Sequence, residues 1–210
     1  MILHDYWRSS AAYRLRIALN VKGLDYALAP HDLRTGEQKA AEYRALAPQG
    51  LVPALETEGV VLTQSIAILE WLDERFPEPA LLPTTPNARA TVRAMAHLVA
   101  CDIHPVNNLR ILKALKADFG ASQEAVDDWV RRWIGEGFAA LEAMVVRHGQ
   151  GFAFGDTPTM ADVLLVPQWY NGERFALDVA PYPRLAAAVE RARALPAFAA
   201  ASPDVQPGAG

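Results

Sequence analysis

Hydrophobic positions recur along this chain in two rhythms, and the change from one to the other divides it. Met1–Asp5 reads as a short strand, and Ala11, Leu15, Ala18 and Leu19 then fall three and four apart, the spacing of one buried helical face. That spacing predicts a helix from Ser9-Ser10 to Gly23, with Arg14, Arg16 and Asn20 off the buried face. Tyr26–Ala29 follows as a second strand and Glu37–Leu46 as a second helix, the βαβ opening that parallel strands require. Leu51–Glu56 and Val60–Leu62 flank Thr57-Glu58-Gly59, a hairpin connection by length and by its glycine. Ser65 stands as the cap of an apolar helix from Ile66 that ends near Pro77.

Beyond Pro77 the strand rhythm is lost. The stretch 77–86 is punctuated by Pro77, Pro79, Pro83 and Pro86 and reads as a linker; the remainder is rich in alanine, leucine and arginine at helical spacing. A helix is expected from Pro86 behind Thr85, buried through Val92, Met95, Val99, Ile103 and Val106. Pro105 should interrupt it, amid a polar cluster of Asp102, His104, Asn107, Asn108 and Arg110, with His104 and Asn108 on one face. Ser122–His148 forms the next helix, its tryptophans Trp129 and Trp133 read as core. Thr159 and Asp162 make a capping-box variant before an apolar run that ends near Arg174. Pro183 opens a further helix, and Pro203–Gly210 reads as a frayed tail. The expectation is an α/β domain over 1–80 and an all-helical domain over 86–210, joined by the linker 77–86.

Composition narrows the function classes. The net charge of −4 over 210 residues offers no basic field for nucleic acid or an anionic membrane. No apolar run is long enough to span a bilayer, and the N-terminus lacks a signal pattern, so a cytoplasmic protein is expected. Cys101 is the only cysteine, which excludes an intrachain disulfide; its apolar neighbours Val99 and Ala100 predict a buried thiol. No metal site is expected.

Two helix starts carry the candidate chemistry. Unpaired N–H groups and the positive dipole end stabilise an anion there. Ser9 and Ser10 add hydroxyls at the first start, with Arg8 beside them, and Gln64-Ser65 opens the second. Pro53 cannot donate to a sheet ladder, so it belongs at a strand start or edge, where a cis bond is one way to turn Val52's backbone outward.

Ser9-Ser10-x-x-Tyr13-Arg14-x-Arg16-Ile17-Ala18-Leu19, Val52-Pro53, Gln64-Ser65 and Thr159-x-x-Asp162, in that order, resemble the cytosolic glutathione transferases, the first of them the zeta class. Cys101-Asp102-Ile103-His104-Pro105-x-Asn107-Asn108 is similar to bacterial isomerases of that class. The resemblance implies a thioredoxin-like N-terminal domain followed by an all-α helical-bundle domain, a homodimer, and glutathione as cofactor. It implies that Gln64 and Ser65 bind the γ-glutamyl end, that Val52, presented by Pro53, pairs the cysteinyl backbone, with Gln49 and Gln38 nearby, and that Ser9 and Ser10 face the thiol. Asp102 and Asn108 would reach a partner subunit's glutathione. The implied activity is cis–trans isomerisation of a small-molecule dicarboxylate bearing a maleyl group, maleylacetoacetate or alternatively maleylpyruvate, in the breakdown of aromatic compounds. Arg8, Arg110 and Arg174 would then hold its carboxylates, with His104 assisting. Ala11 stands where animal members often have cysteine. A general conjugating transferase and a non-catalytic glutathione-fold binding protein are the competing expectations.

Overall fold

The computed structural model describes residues 1–209. The first rhythm resolves into β1 (Ile2–Asp5), α1 (Ser10–Val21), β2 (Ala27–Pro30), α2 (Ala41–Leu46), β3 (Ala54–Thr57), β4 (Val60–Thr63) and α3 (Ser65–Arg75). The sheet runs in the order β2-β1-β3-β4, with β1 parallel to β2 and antiparallel to β3. Glu58 and Gly59, at φ 48° and 79°, make the tight β3–β4 turn that a hairpin needs. The expected helix from Glu37 breaks at Ala40: Glu37–Lys39 is a single 3-10 turn, and α2 begins after it.

The second rhythm gives α4 (Pro86–His97), α5 (Leu109–Phe119), α6 (Gln123–His148), α7 (Met160–Arg174) and α8 (Pro183–Arg193), followed by α9 (Pro196–Ala201). Contacts divide the chain into two units, residues 1–81 with the segment from Ala194 onward, and Leu82–Arg193. The segment from Ala194, expected in the helical domain, instead packs on α1. Arg16 Nε donates to the carbonyl of Ala201 at 3.0 Å and Asn20 Nδ2 to that of Ala197 at 3.0 Å, while Ala201 and Pro203 are buried. Among the described residues, no helix is long and apolar enough to cross a membrane.

Packing of both the chain's end and α3 on α1 explains a second departure. α1 is enclosed along most of its length, so Arg14 and Arg16 are buried rather than solvated. His4, also buried, has Nδ1 2.8 Å from His31 Nε2 and Nε2 2.7 Å from Glu56 Oε1, tying β1, β3 and the loop after β2 together. Burial, reinforced by His4, holds His31 below the ordinary imidazole range against the pull of Glu37.

In the second unit, α4 passes into a π-helical turn, Leu98–Ile103, and Pro105 ends it in a 3-10 turn over Pro105–Asn107. The winding keeps Val99 and Ile103 inside and leaves Cys101 exposed, contrary to the expected buried thiol. The helix that restarts there, α5, lies within a stretch the sequence did not resolve as an element of its own. In α6 the buried row is Val126, Val130, Ile134, Phe138, Leu141 and Val145; Trp129 and Trp133 lie half-buried beside it. Indole Nε1 of Trp129 donates to the carbonyl of Val106 at 3.0 Å.

Among the described residues, Gly50 is the one positive-φ glycine whose site is closed by backbone. At φ +60°, an added Cβ would stand 2.7 Å from the carbonyl oxygen of Gln38. Gly50→Ala is therefore expected to cost on the order of 1–3 kcal/mol in chemical unfolding, more than at an exposed turn glycine such as Gly59.

Candidate functional site

The loop from β1 delivers Arg8 and Ser9 onto the start of α1. Ser9 is the N-cap: its Oγ accepts from the amide of Ala12 at 3.3 Å, which leaves its proton to donate. Ser10 is the first helical residue and is buried, with Ser9 half-buried before it. The first turn of α1 holds no acidic residue, so the dipole's positive end is unopposed. Arg8 lies half-buried with its Cζ 5.3 Å from the centre of the Trp7 ring, and among the described residues no carboxylate pairs with it.

The start of α3 forms a second donor site in the same unit. Ser65, expected as its cap, is the first helical residue; Gln64 takes the cap position at φ 69°, an uncommon conformation for a side chain, and caps no N–H. This first turn also lacks an acid. Gln64 Nε2 donates to Gln49 Oε1 at 2.6 Å, and Arg14 Nη1 donates to Ser65 Oγ at 3.0 Å. Gln38 reaches the same region through its backbone at Gly50, and its Oε1 is buried with no partner. The β3 ladder begins only at Ala54, behind the cis Val52–Pro53 bond, so Val52's amide and carbonyl are not paired by it. Pro53 thus precedes the strand rather than interrupting it.

The site residues expected in the second unit fall in two places. Asp102 is exposed on the π-helical turn, and His104 follows it before Pro105. Asn108 does not share a helical face with His104, because the chain turns between them. It is instead the N-cap of α5, accepting from the amide of Arg110 at 3.2 Å. Arg110 is exposed in the first turn of α5, which holds no acidic residue, and Arg174 closes α7 with Nη1 3.2 Å from Asn171 Oδ1. Arg14 was missed as a site residue. Its single signal was a charged residue inside a helix with apolar neighbours on both sides, which cannot by itself separate a surface position from a buried one.

Taken together, the first unit offers hydroxyl and amide donors at two helix starts, an unpaired strand edge and side-chain amides. That set fits a peptide thiol with a carboxylate at one end: the orphaned Gln38 oxygen can accept from it, and Val52 can pair its backbone. Among the described residues no cluster of His, Cys, Asp and Glu is arranged to hold a metal ion.

Residues 8–75 match the family model for the glutathione S-transferase N-terminal domain, and with full-length relatives far above 30% identity the chain belongs to the glutathione S-transferase family. The probable maleylacetoacetate isomerase of Vibrio cholerae is 50% identical over 212 residues, covering 100% of this chain and 98% of that one. Among solved structures, a holo maleylpyruvate isomerase described as a bacterial zeta-class transferase superposes with a TM-score of 0.98 at 46% identity, both chains covered completely. A maleylacetoacetate isomerase from Methylobacterium extorquens AM1 with bound malonate and GSH gives 0.96 at 38% identity, again over the whole of both chains.

Proposed function

We propose that this protein is a glutathione-dependent cis–trans isomerase of a maleyl dicarboxylate, converting maleylacetoacetate to fumarylacetoacetate in aromatic catabolism. The observation that carries the reading is the helix start at Ser9: a hydroxyl with a proton to give, at an acid-free dipole end, beside an arginine that no carboxylate of the described residues pairs with. Full-length relatives with this activity in their names support it. The reading includes a cytoplasmic homodimer, with Asp102 and Asn108 contributing to the partner subunit's glutathione.

Bound glutathione supplies the thiolate that adds to the conjugated double bond, allows rotation, and leaves again. Ser9 holds that sulfur ionised by donating its hydroxyl proton, with Ser10 at the same helix start. Gln64 and Ser65 bind the γ-glutamyl end, Val52 pairs the peptide backbone ahead of Pro53, and Gln38 and Gln49 close round it. Arg8 grips a substrate carboxylate and stabilises enolate charge as it develops; Arg110 and Arg174 bind the far carboxylate, and His104 polarises the substrate.

Ser9→Ala is expected to raise the pKa of bound glutathione's thiol, read by thiolate absorbance, and to lower kcat about 100-fold or more. An unchanged thiol titration removes Ser9 from this role. Arg8→Ala should raise KM for the maleyl substrate while leaving glutathione affinity within about 3-fold; equal loss of both would count against it. Maleylpyruvate is the second reading, favoured by the 0.98 superposition on a maleylpyruvate isomerase. Turnover of the two substrates side by side, with a chloronitrobenzene acceptor as control for general transferase activity, decides between them.

A further inference from the structure

Arg14 and Ser65 are joined by a hydrogen bond that capping does not require. Arg14 is 2% exposed and Ser65 8%, so the bond is made in a region of low dielectric where its direction matters. A guanidinium only donates, whereas a hydroxyl has one proton to give and two lone pairs. With one lone pair taken by Arg14 Nη1, Ser65 must present its proton on another side. The backbone of α3 offers no acceptor at its own start, because the first carbonyls are committed to the helix ladder and the open groups there are N–H donors.

We propose that Arg14 is a positioning residue for the cofactor: by donating to Ser65 Oγ it turns the Ser65 hydroxyl proton toward the γ-glutamyl carboxylate of glutathione at the start of α3. Its charge also stands behind that carboxylate, adding to the dipole of α3. The inference rests on the assignment of Ser65 to the glutamyl end made above. One helix then serves both ends of the cofactor, through Ser9 at the cap of α1 and Arg14 one turn further along it. Burying an arginine costs desolvation that methionine or leucine of similar volume would avoid, which a purely packing role leaves without return.

The test is isothermal titration of the full chain with glutathione and with an analogue in which the α-carboxylate of the γ-glutamyl residue is replaced by hydrogen. Arg14→Met and Ser65→Ala are each expected to weaken glutathione by about 10–100-fold. The double variant should be no weaker than the weaker single one, and the analogue should shift less than about 3-fold in all three. The KM for glutathione should follow the titrations, with a much smaller change in kcat at saturating glutathione. If the methionine variant does not fold, Arg14→Gln, which keeps a donor and sheds the charge, is read instead: it should weaken glutathione less than Ser65→Ala does and leave the analogue within about 3-fold, and equal weakening of both ligands would overturn the proposal. Equal weakening of both ligands, or additive losses in the double variant, would overturn the proposal by returning Arg14 to the core. Loss in Ser65→Ala without loss in Arg14→Met overturns it while the Ser65 assignment stands; no loss in Ser65→Ala overturns both.

Discussion

Replacing Asp5 by alanine is expected to destabilise the protein by about 3–5 kcal/mol, because it strands a buried guanidinium. Arg16 is fully buried, and its Nη1 lies 2.7 and 2.9 Å from the two oxygens of Asp5. Its other two nitrogens are engaged as well, Nε donating to the carbonyl of Ala201 at 3.0 Å and Nη2 to that of Trp7 at 2.9 Å. Burial pushes the Asp5 carboxyl above its ordinary range, against the pull of Arg16. The pair is therefore not a large net source of stability; the cost lies in breaking it on one side only. Asp5→Ala together with Arg16→Met should be less damaging than Asp5→Ala alone, since no charge is then left behind. A melting temperature about 6–20 °C lower for the single variant, partly recovered in the double, is the expected reading. A double variant that melts below both singles would show that Arg16 acts through its carbonyl bonds rather than its charge. Those bonds have a functional side, because the Trp7 carbonyl belongs to the loop that carries Arg8 and Ser9.

The same arginine shows where sequence reading reaches and where it stops. The βαβ opening, the hairpin at Glu58-Gly59 and the helix starts near Ser9, Ser122 and Thr159 were legible, because each is set by residues within a few positions of one another. Arg14 and Arg16 were placed off the buried face, since helical periodicity reports one face and α1 is enclosed beyond it by α3 at Arg14 and by α9, far along the chain, at Arg16. Cys101 was misplaced for a different reason: apolar neighbours in sequence do not share a helical face, and with Val99 and Ile103 filling the inner side, Cys101, two residues from each, lies outside. Ser65 and Gln64 were recognised as a pair, but which of them caps α3 depends on a positive φ at Gln64 that local sequence does not encode. In the candidate site, residue types were readable from the motif, and the couplings Arg14–Ser65 and Gln49–Gln64 were not, because each joins side chains far apart in the chain.

Asp162 should give the protein a pH dependence opposite in sign to ordinary acid denaturation. Its carboxylate accepts from the amide of Ala153 at 2.7 Å, the amide of Thr159 at 2.9 Å and the Thr159 hydroxyl at 3.2 Å. Thr159 in turn caps α7, a helix buried over most of its length, so this box fixes the central element of the second unit. Burial nonetheless dominates and pushes the Asp162 carboxyl from 3.8 up to about 6, against its own hydrogen bonds. The folded state thus holds this proton more tightly than the unfolded chain does. Its contribution to stability is greatest below pH 4, falls as pH rises through about 6, and is level above that, a total of about 3 kcal/mol. Asp162→Asn cannot titrate, so the stability of the parent minus that of the variant should shrink between pH 4.5 and 7.5 in urea unfolding. Asp162→Ala, which orphans two N–H groups, should cost about 2–4 kcal/mol at pH 7 and more at pH 5. A difference that instead grows with pH would mean that the amide donors outweigh desolvation and that the carboxylate is held ionised in the core.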